Sequence, residues 1–255
     1  MVRGHLYHEI LSPPPPLKIT RVGESQFAMT MNQNAQTLSS EDFVTLLAEE
    51  NRSTLERLGR LSTSGDAPET LTVERLLLVA LKNELEAAEV AALWMSTTSE
   101  LDVKLAFARQ VGDEAKHYRL ISERLSDLGV DASLVDPREG GYSTLFEYLK
   151  ALQSTVARVA AGQFTREGIA LVRNQAFIEF CGSRGDHETA ALYRDLIQPD
   201  EQHHHELGRA LLARYGVTAD EQTVAQQAAR RTLELAEEIQ ETARLKAGIS
   251  RAPGC

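Results

Sequence analysis

Two short motifs constrain the fold of this chain more than any other feature of its sequence. Residues 113–117 read Asp-Glu-Ala-Lys-His, and residues 200–204 read Asp-Glu-Gln-His-His. Each copy contains Glu-x-x-His, and residues three apart on an α-helix lie on the same face. A carboxylate and an imidazole on one helix face supply half of the ligands of a metal site. The motifs therefore predict two helices that face each other across such a site.

A single glutamate lies upstream of each motif at a similar distance. Glu84 precedes Glu114 by thirty residues, and Glu167 precedes Glu201 by thirty-four. Turn-forming polar stretches lie near both midpoints, Ser-Thr-Thr-Ser at 96–99 and Gly-Ser-Arg-Gly-Asp at 182–186. Each glutamate and its motif are therefore expected on the two arms of an antiparallel helical hairpin, with their carboxylates level. Such a duplication is a stronger signal than one Glu-x-x-His alone.

Apolar patterning supports the first hairpin. Steps of four and three residues connect apolar positions on the first helix, and Glu84 is the one charge in that stripe. The same steps on the second helix pass through Val103, Phe107, Gln110, Glu114, His117, Ile121 and Leu125. Metal-binding residue types thus take the place of core residues. The competing interpretation of the motifs is a charged, solvent-exposed helix face, and Glu86 or Glu89 could replace Glu84 as the ligand.

The second hairpin leaves two alternatives open. Glu179 is another candidate glutamate, but it lies too close to the predicted turn to reach the level of Glu201. His203 pairs with the preceding aspartate at the same three-residue spacing, one residue out of register. Glu201 with His204 is preferred because this pair aligns with the first motif.

These residues resemble the ferritin-like superfamily of di-iron carboxylate proteins, which includes rubrerythrins, aldehyde-deformylating oxygenases, and bacterial hydroxylases and N-oxygenases. The resemblance covers about residues 71–215. It implies an all-α fold, a ferritin-like four-helix bundle with an extra N-terminal arm and helix and a C-terminal helix. The implied metal ligands are Glu84, Glu114, His117, Glu167, Glu201 and His204. The implied cofactor is two iron ions in the Fe2+ and Fe3+ states, with manganese as an alternative at one or both positions.

The remaining sequence divides the chain into four segments. Residues 1–40, which contain Pro13–Pro16, are predicted to form an extended arm. An accessory helix and linker occupy 41–70, the bundle occupies 71–216, and a charged C-terminal helix and tail, expected on the outside, occupy 217–255. Within the bundle, 129–142 is expected to cross between the hairpins, with Gly162 as a break or kink.

Composition narrows the class of protein. The chain has 255 residues, of which 42% are hydrophobic and 25% charged, as expected of a soluble globular protein. Its net charge of -10 disfavours nucleic acid as a partner. The longest apolar run, Leu76–Leu81, is too short to span a membrane, so no membrane partner is expected. Two cysteines give no disulfide framework, and without a signal-peptide core the predicted compartment is the cytoplasm.

The resemblance implies an oxidoreductase of the monooxygenase or oxidase type. It would activate O2 to hydroxylate, N-oxygenate or oxidatively cleave a small organic substrate, with electrons from an external donor, and a homodimer is expected. A rubrerythrin- or ferritin-type ferroxidase or peroxidase is one alternative, although the sequence has no C-x-x-C pair for a rubredoxin module. A non-catalytic helical interaction bundle is another. The segments outside the bundle favour the oxygenase, because they could cover a substrate pocket.

Overall fold

The computed structural model describes residues 37–63, 71–247 and 253–254 of the chain. These residues form helices and connecting turns without any β-strand, which confirms the predicted all-α bundle. Residues 1–36 of the predicted extended arm (1–40) and residues 64–70, which hold most of the predicted linker, lie outside the described residues. No helix among the described residues is both long and apolar enough to cross a membrane.

The α-helices of the described residues have the following bounds. They are α1 (Ser40–Thr63), α2 (Val73–Thr97), α3 (Leu101–Asp127), α4 (Thr144–Ala151), α5 (Thr155–Val159), α6 (Glu167–Ser183), α7 (His187–Leu192), α8 (Gln198–Tyr215) and α9 (Ala219–Ala247). A π-helical segment, Ala160–Arg166, joins α5 to α6, and a second, Tyr193–Ile197, joins α7 to α8. The crossover between the hairpins contains a short 3-10 turn at Ala132–Leu134.

Side-chain caps fix several of these starts. The Ser39 hydroxyl accepts the N–H of Asp42 at 3.2 Å ahead of α1. The Asp186 carboxylate accepts the N–H of Thr189 at 3.0 Å ahead of α7. Such caps satisfy N–H groups that have no partner within the helix. The cap at Asp186 closes the second predicted turn, in which Gly185 has a φ of 77°.

Two hairpins form the bundle and the remaining helices cover it. The first hairpin is α2 with α3; the second pairs the helix that runs through α5 and α6 with the helix that runs through α7 and α8. Helix α1 packs on α6 and α8, and α9 packs on α5, on the first π segment and on α1. Although α9 carries many charges, it buries an apolar face. The members of that face are Ala225, Ala228, Ala229, Leu233, Leu235 and Ala236.

At Gly162, the predicted break or kink, the helix continues as the first π segment. The helix is interrupted earlier, at 152–154, where the Ser154 hydroxyl caps α5 by accepting the N–H of Ala157 at 3.3 Å. Gly162 lies inside the first π segment, against the ring of Trp94. A Cβ atom at this position would lie only 2.5 Å from that ring, so glycine is required by close packing.

The first π segment is held from two sides by polar contacts. Asn51 of α1 donates its Nδ2 to the Thr165 hydroxyl at 3.0 Å. His205 of α8 lies with its Nδ1 2.7 Å from the carbonyl oxygen of Phe164, where its N–H satisfies a carbonyl of the widened turn. The ring of His205 also stacks on Phe164 at 4.9 Å. Both neighbouring helices therefore stabilise the irregular stretch that precedes Glu167.

We expect Gly208→Ala to destabilise the protein. A Cβ atom at Gly208 of α8 would lie 2.7 Å from the backbone of Gln163 and Phe164, which cannot move as a flexible side chain would. Overpacking of this kind typically costs about 1–3 kcal/mol. The urea midpoint of unfolding measures the change. The matched control is Gly112→Ala in α3, where no described atom lies within 4 Å of the added methyl. Equal midpoints for the two variants would contradict the close helix contact.

Candidate metal centre

The six residues singled out in the sequence converge in the core of the bundle. Glu84 comes from α2, Glu114 and His117 from α3, Glu167 from the first turn of α6, and Glu201 and His204 from α8. Each of the six is at most 3% exposed. The two hairpins thus contribute three residues each to one buried cluster.

The cluster consists of two overlapping groups of ligand atoms. One group contains Glu84, Glu114, His117 and Glu201; the other contains Glu114, Glu167, Glu201 and His204. Within each group the ligand atoms lie within 4.8 Å of one another, so each group could hold a metal ion. Glu114 and Glu201 belong to both groups. These two carboxylates could therefore supply ligand atoms to either group.

Both imidazoles turn the same nitrogen towards the carboxylates. His117 Nδ1 lies 3.2 Å from Glu114 and 3.4 Å from Glu84. His204 Nδ1 lies 3.4 Å from Glu201. The Nε2 atoms point the other way, towards aspartates. Nδ1 is thus the nitrogen available to a metal in each half of the site.

The aspartates form crossed pairs with the histidines. His117 Nε2 lies 3.1 Å from Asp200, and His204 Nε2 lies 3.1 Å from Asp113, so the aspartate of each motif binds the histidine of the other. Lys116 lies between the two aspartates and forms ion pairs with both. When metal binding displaces the Nδ1 proton, a carboxylate that accepts the Nε2 proton keeps the imidazole in the tautomer whose Nδ1 lone pair is free.

The sequence did not predict these crossed pairs, and Asp200 entered only as the alternative partner of His203. The signal was present, since an aspartate precedes the glutamate in both copies of the motif. On one helix, however, adjacent residues point in different directions. Only the packing of α3 against α8 shows that each aspartate reaches across to the opposite histidine.

Glu167 is held by two polar neighbours that the sequence did not single out. Gln110 Nε2 donates to Glu167 Oε1 at 2.6 Å, and Arg166 Nη1 lies 3.3 Å from the same oxygen. Gln110 is buried and also lies 3.4 Å from Glu114. The other oxygen of Glu167 is left to face the cluster.

Burial and mutual repulsion shift the pKa values of these groups strongly. Burial raises the pKa of Glu84 to about 8, against the lowering effect of His117. Burial and the charge of Glu201 raise the pKa of Glu167 well above its usual range. The pKa of Glu114 is lowered instead, because its hydrogen bond to His117 and nearby positive charges outweigh burial. Burial lowers the pKa of His117, but hydrogen bonds to the carboxylates prevail and raise it to about 12.

Three buried ligand atoms have no hydrogen-bond partner within the described part of the chain. They are Glu167 Oε2, Glu201 Oε2 and His204 Nδ1. An unsatisfied polar atom in a protein interior typically costs about 1–3 kcal/mol, and more when it is charged. A cation between these atoms would satisfy all three, so the residues present fit a metal centre.

The two glutamates that could have replaced Glu84 as a ligand lie outside both ligand groups. Glu86 is buried, but it accepts the N–H of Ser143 at 2.8 Å and lies 3.7 Å from Lys82. It therefore anchors the crossover to α2. Glu89 is half-buried and belongs to neither ligand group.

The alternatives in the second hairpin lie away from the cluster. Glu179 is exposed and accepts a hydrogen bond from Gln175 at 3.0 Å. His203 is only half-buried, whereas His204 is fully buried. The structure thus brings Glu167 and His204, rather than these two residues, into the cluster.

Fold and site define the protein as an all-α helical bundle with a buried glutamate–histidine cluster that could hold metal. Residues 26–253 match the model of a family described as "Protein of unknown function (DUF455)". The chain belongs to this family. No curated protein matches it.

A solved structure with a similar fold is a TenA homologue from Pyrococcus furiosus. The two share 15% sequence identity with a TM-score of 0.56, and the match covers 79% of this chain and 99% of the homologue. At this identity the likeness concerns the helical fold alone.

We expect His204→Ala to lose bound metal and His203→Ala to retain it. The two residues are neighbours on α8, but only His204 faces the buried carboxylates. Metal content per chain, measured after anaerobic Fe(II) loading and desalting, compares the variants. Glu179→Ala serves as a second control on an exposed glutamate. Equal loss of metal from the two histidine variants would contradict the pairing of Glu201 with His204.

We also expect metal binding to release protons and to strengthen as the pH rises. Metal ligands must be deprotonated, yet in the metal-free protein the pKa of Glu84 is about 8 and that of His117 about 12. Both groups therefore carry a proton near neutral pH. Calorimetric titration with Mn(II) in buffers of different ionisation enthalpy measures the protons released. Zero release and a pH-independent affinity would contradict the arrangement.

Proposed function

We propose that this protein is a non-haem di-iron oxidoreductase. In this proposal it activates O2 to hydroxylate, N-oxygenate or oxidatively cleave a small organic substrate, with electrons from an external donor, and it acts as a homodimer. The observation that supports the proposal is the pair of ligand groups that share Glu114 and Glu201. Ferritin-like di-iron proteins use the same set, one glutamate from each of two helices and Glu-x-x-His from the other two.

The ligand types in the cluster favour iron or manganese over zinc or an iron–sulfur cluster. Oxygen and imidazole donors suit iron and manganese, whereas thiolates favour zinc and iron–sulfur clusters. The one cysteine described, Cys181, is buried, and burial raises its pKa to about 12. Two iron ions bound here would supply, through their +2 and +3 states, the electrons that O2 activation requires. Manganese at one or both positions fits the same ligands.

Residues around the six ligands fix the orientation of the ligand side chains. Asp113 and Asp200 fix the histidine rings through Nε2, and Lys116 offsets the charge of the two aspartates. Gln110 and Arg166 hold one oxygen of Glu167 and leave the other free. Partners of this kind usually change metal affinity or activity by about 10–100-fold when they are removed.

The helices added to the bundle favour an oxygenase over an iron-handling protein in this proposal. Each of the six residues is at most 3% exposed. Helices α1 and α9 add further cover over the second hairpin. A closed, water-poor site protects reactive oxygen species from side reactions. The helices outside the bundle thus suit chemistry on an enclosed organic substrate.

The test is O2 uptake by protein loaded anaerobically with two Fe(II) per chain. We expect the wild-type protein to consume O2 and to stop once the bound pair is oxidised, even with about tenfold free Fe(II) present. His203→Ala should behave like wild type, and His204→Ala should show no uptake above free Fe(II) alone. Continued oxidation of the excess Fe(II) would favour a ferroxidase. Failure to retain metal would favour a non-catalytic bundle and overturn the proposal.

A further inference from the structure

The chain returns to the metal centre beyond α9. Pro253 and Gly254 are both buried, and the peptide group between them is held on both sides. Asn83 Nδ2 donates to the carbonyl oxygen of Pro253 at 2.8 Å, and the N–H of Gly254 donates to Asn174 Oδ1 at 2.9 Å. Arg173 Nη1 donates to the next carbonyl, that of Gly254, at 3.5 Å. Two asparagines thus recognise one secondary amide through its acceptor and its donor.

This amide lies directly beside the cluster. A Cβ atom built on Gly254 would be 3.7 Å from Glu84 Oε1 and 3.2 Å from the Cβ of Asn83. Gly254 also has a φ of 74°, a conformation that residues with side chains rarely adopt. Only glycine therefore fits between Asn83 and the carboxylate of Glu84.

One buried hydrogen-bond donor beside the peptide is not used by it. Asn174 is 1% exposed, and its Nδ2 has no hydrogen-bond partner among the described residues. A buried donor without a partner is costly. A ligand that offers one more acceptor at this point would satisfy it. The groups around the Pro253–Gly254 peptide can thus make one more hydrogen bond than the peptide offers.

We propose that Asn83, Arg173 and Asn174 form a subsite for a secondary amide beside Glu84, and that an amide-bearing small molecule is the substrate. The Pro253–Gly254 peptide fills this subsite in the resting protein and yields it to the substrate. The substrate assignment rests on the di-iron function proposed above. It places an amide-containing compound next to a carboxylate of the metal site.

The polar groups favour an amide over a carboxylate ligand. Asn174 Oδ1 requires an N–H, which a carboxylate lacks, and with metal bound a second negative charge would lie against the deprotonated Glu84. An amide offers both the N–H and the carbonyl that the two asparagines hold. The tethered peptide has a high effective concentration, so it hides the subsite from a free ligand of similar strength.

The test removes the Pro253–Gly254 peptide from the subsite and adds a small molecule that carries the same amide group. Gly254→Val in the full-length chain should expel the peptide, because the added side chain meets Asn83 and disfavours the positive φ. The probe is N-acetyl-prolyl-glycinamide, titrated into metal-free protein by calorimetry. We expect at least about tenfold tighter binding to Gly254→Val than to wild type. The matched control, Gly112→Val, adds the same side chain in open space and should bind like wild type.

A further variant establishes where the probe binds. Adding Asn174→Leu to Gly254→Val removes the acceptor for the amide N–H at nearly constant volume and should abolish the gain. Equal probe binding by Gly254→Val and Gly112→Val, or unchanged binding after Asn174→Leu, would overturn the subsite. If Gly254→Val does not fold, Gly254→Ala has the same φ conflict and should shift binding in the same direction.

Metal content separates this proposal from the proposed function. Bound iron is assayed on the wild-type protein after Fe(II) loading, independently of the probe, because the added side chain of Gly254→Val lies against Glu84. Iron retained by wild type without probe binding by Gly254→Val overturns the amide subsite and leaves the di-iron function standing. Probe binding by Gly254→Val without iron retained by wild type supports the subsite and overturns the di-iron function.

Discussion

Four carboxylates close together in an apolar interior are the constraint on which the rest of this structure depends. Glu84, Glu114, Glu167 and Glu201 repel one another, and water cannot screen them. Without metal, the protein relieves the repulsion unequally, since the pKa of Glu84 is raised and that of Glu114 is lowered. Burying these carboxylates together lowers the free energy of unfolding. Their presence is therefore better explained by binding of a cation than by a contribution to stability.

The two halves of the bundle depend on each other at this centre. Each hairpin supplies a glutamate and a Glu-x-x-His pair, but the aspartate that orients each histidine comes from the other hairpin. The shared carboxylates, Glu114 and Glu201, also come from different halves. Neither hairpin therefore contains a complete half-site, and the site can assemble only when α3 packs against α8.

Sequence patterns were sufficient for the helices and for the residues of the cluster, because both follow from helical periodicity. The apolar stripe through Glu114 and His117 is buried at every predicted position. Periodicity says nothing about which side chains meet across helices, so the crossed aspartates were not predicted. It also gave no sign of the interruption at 152–154, or of the Trp94 ring that requires Gly162. The contact of Gly254 with Asn174 joins positions 80 residues apart, and no local pattern indicates it.

The direction of the Glu167 side chain depends on the number of residues in the π segment that precedes it. Its wide turns set the angle at which α6 leaves the segment, and Glu167 is the first residue of that helix. One residue fewer between Ser154 and Glu167 would rotate the carboxylate by about 100° about the helix axis. The side chain would then point away from Gln110. A substitution within this stretch leaves the register of Glu167 unchanged, but a single deletion or insertion would turn Glu167 away from the other residues of the cluster.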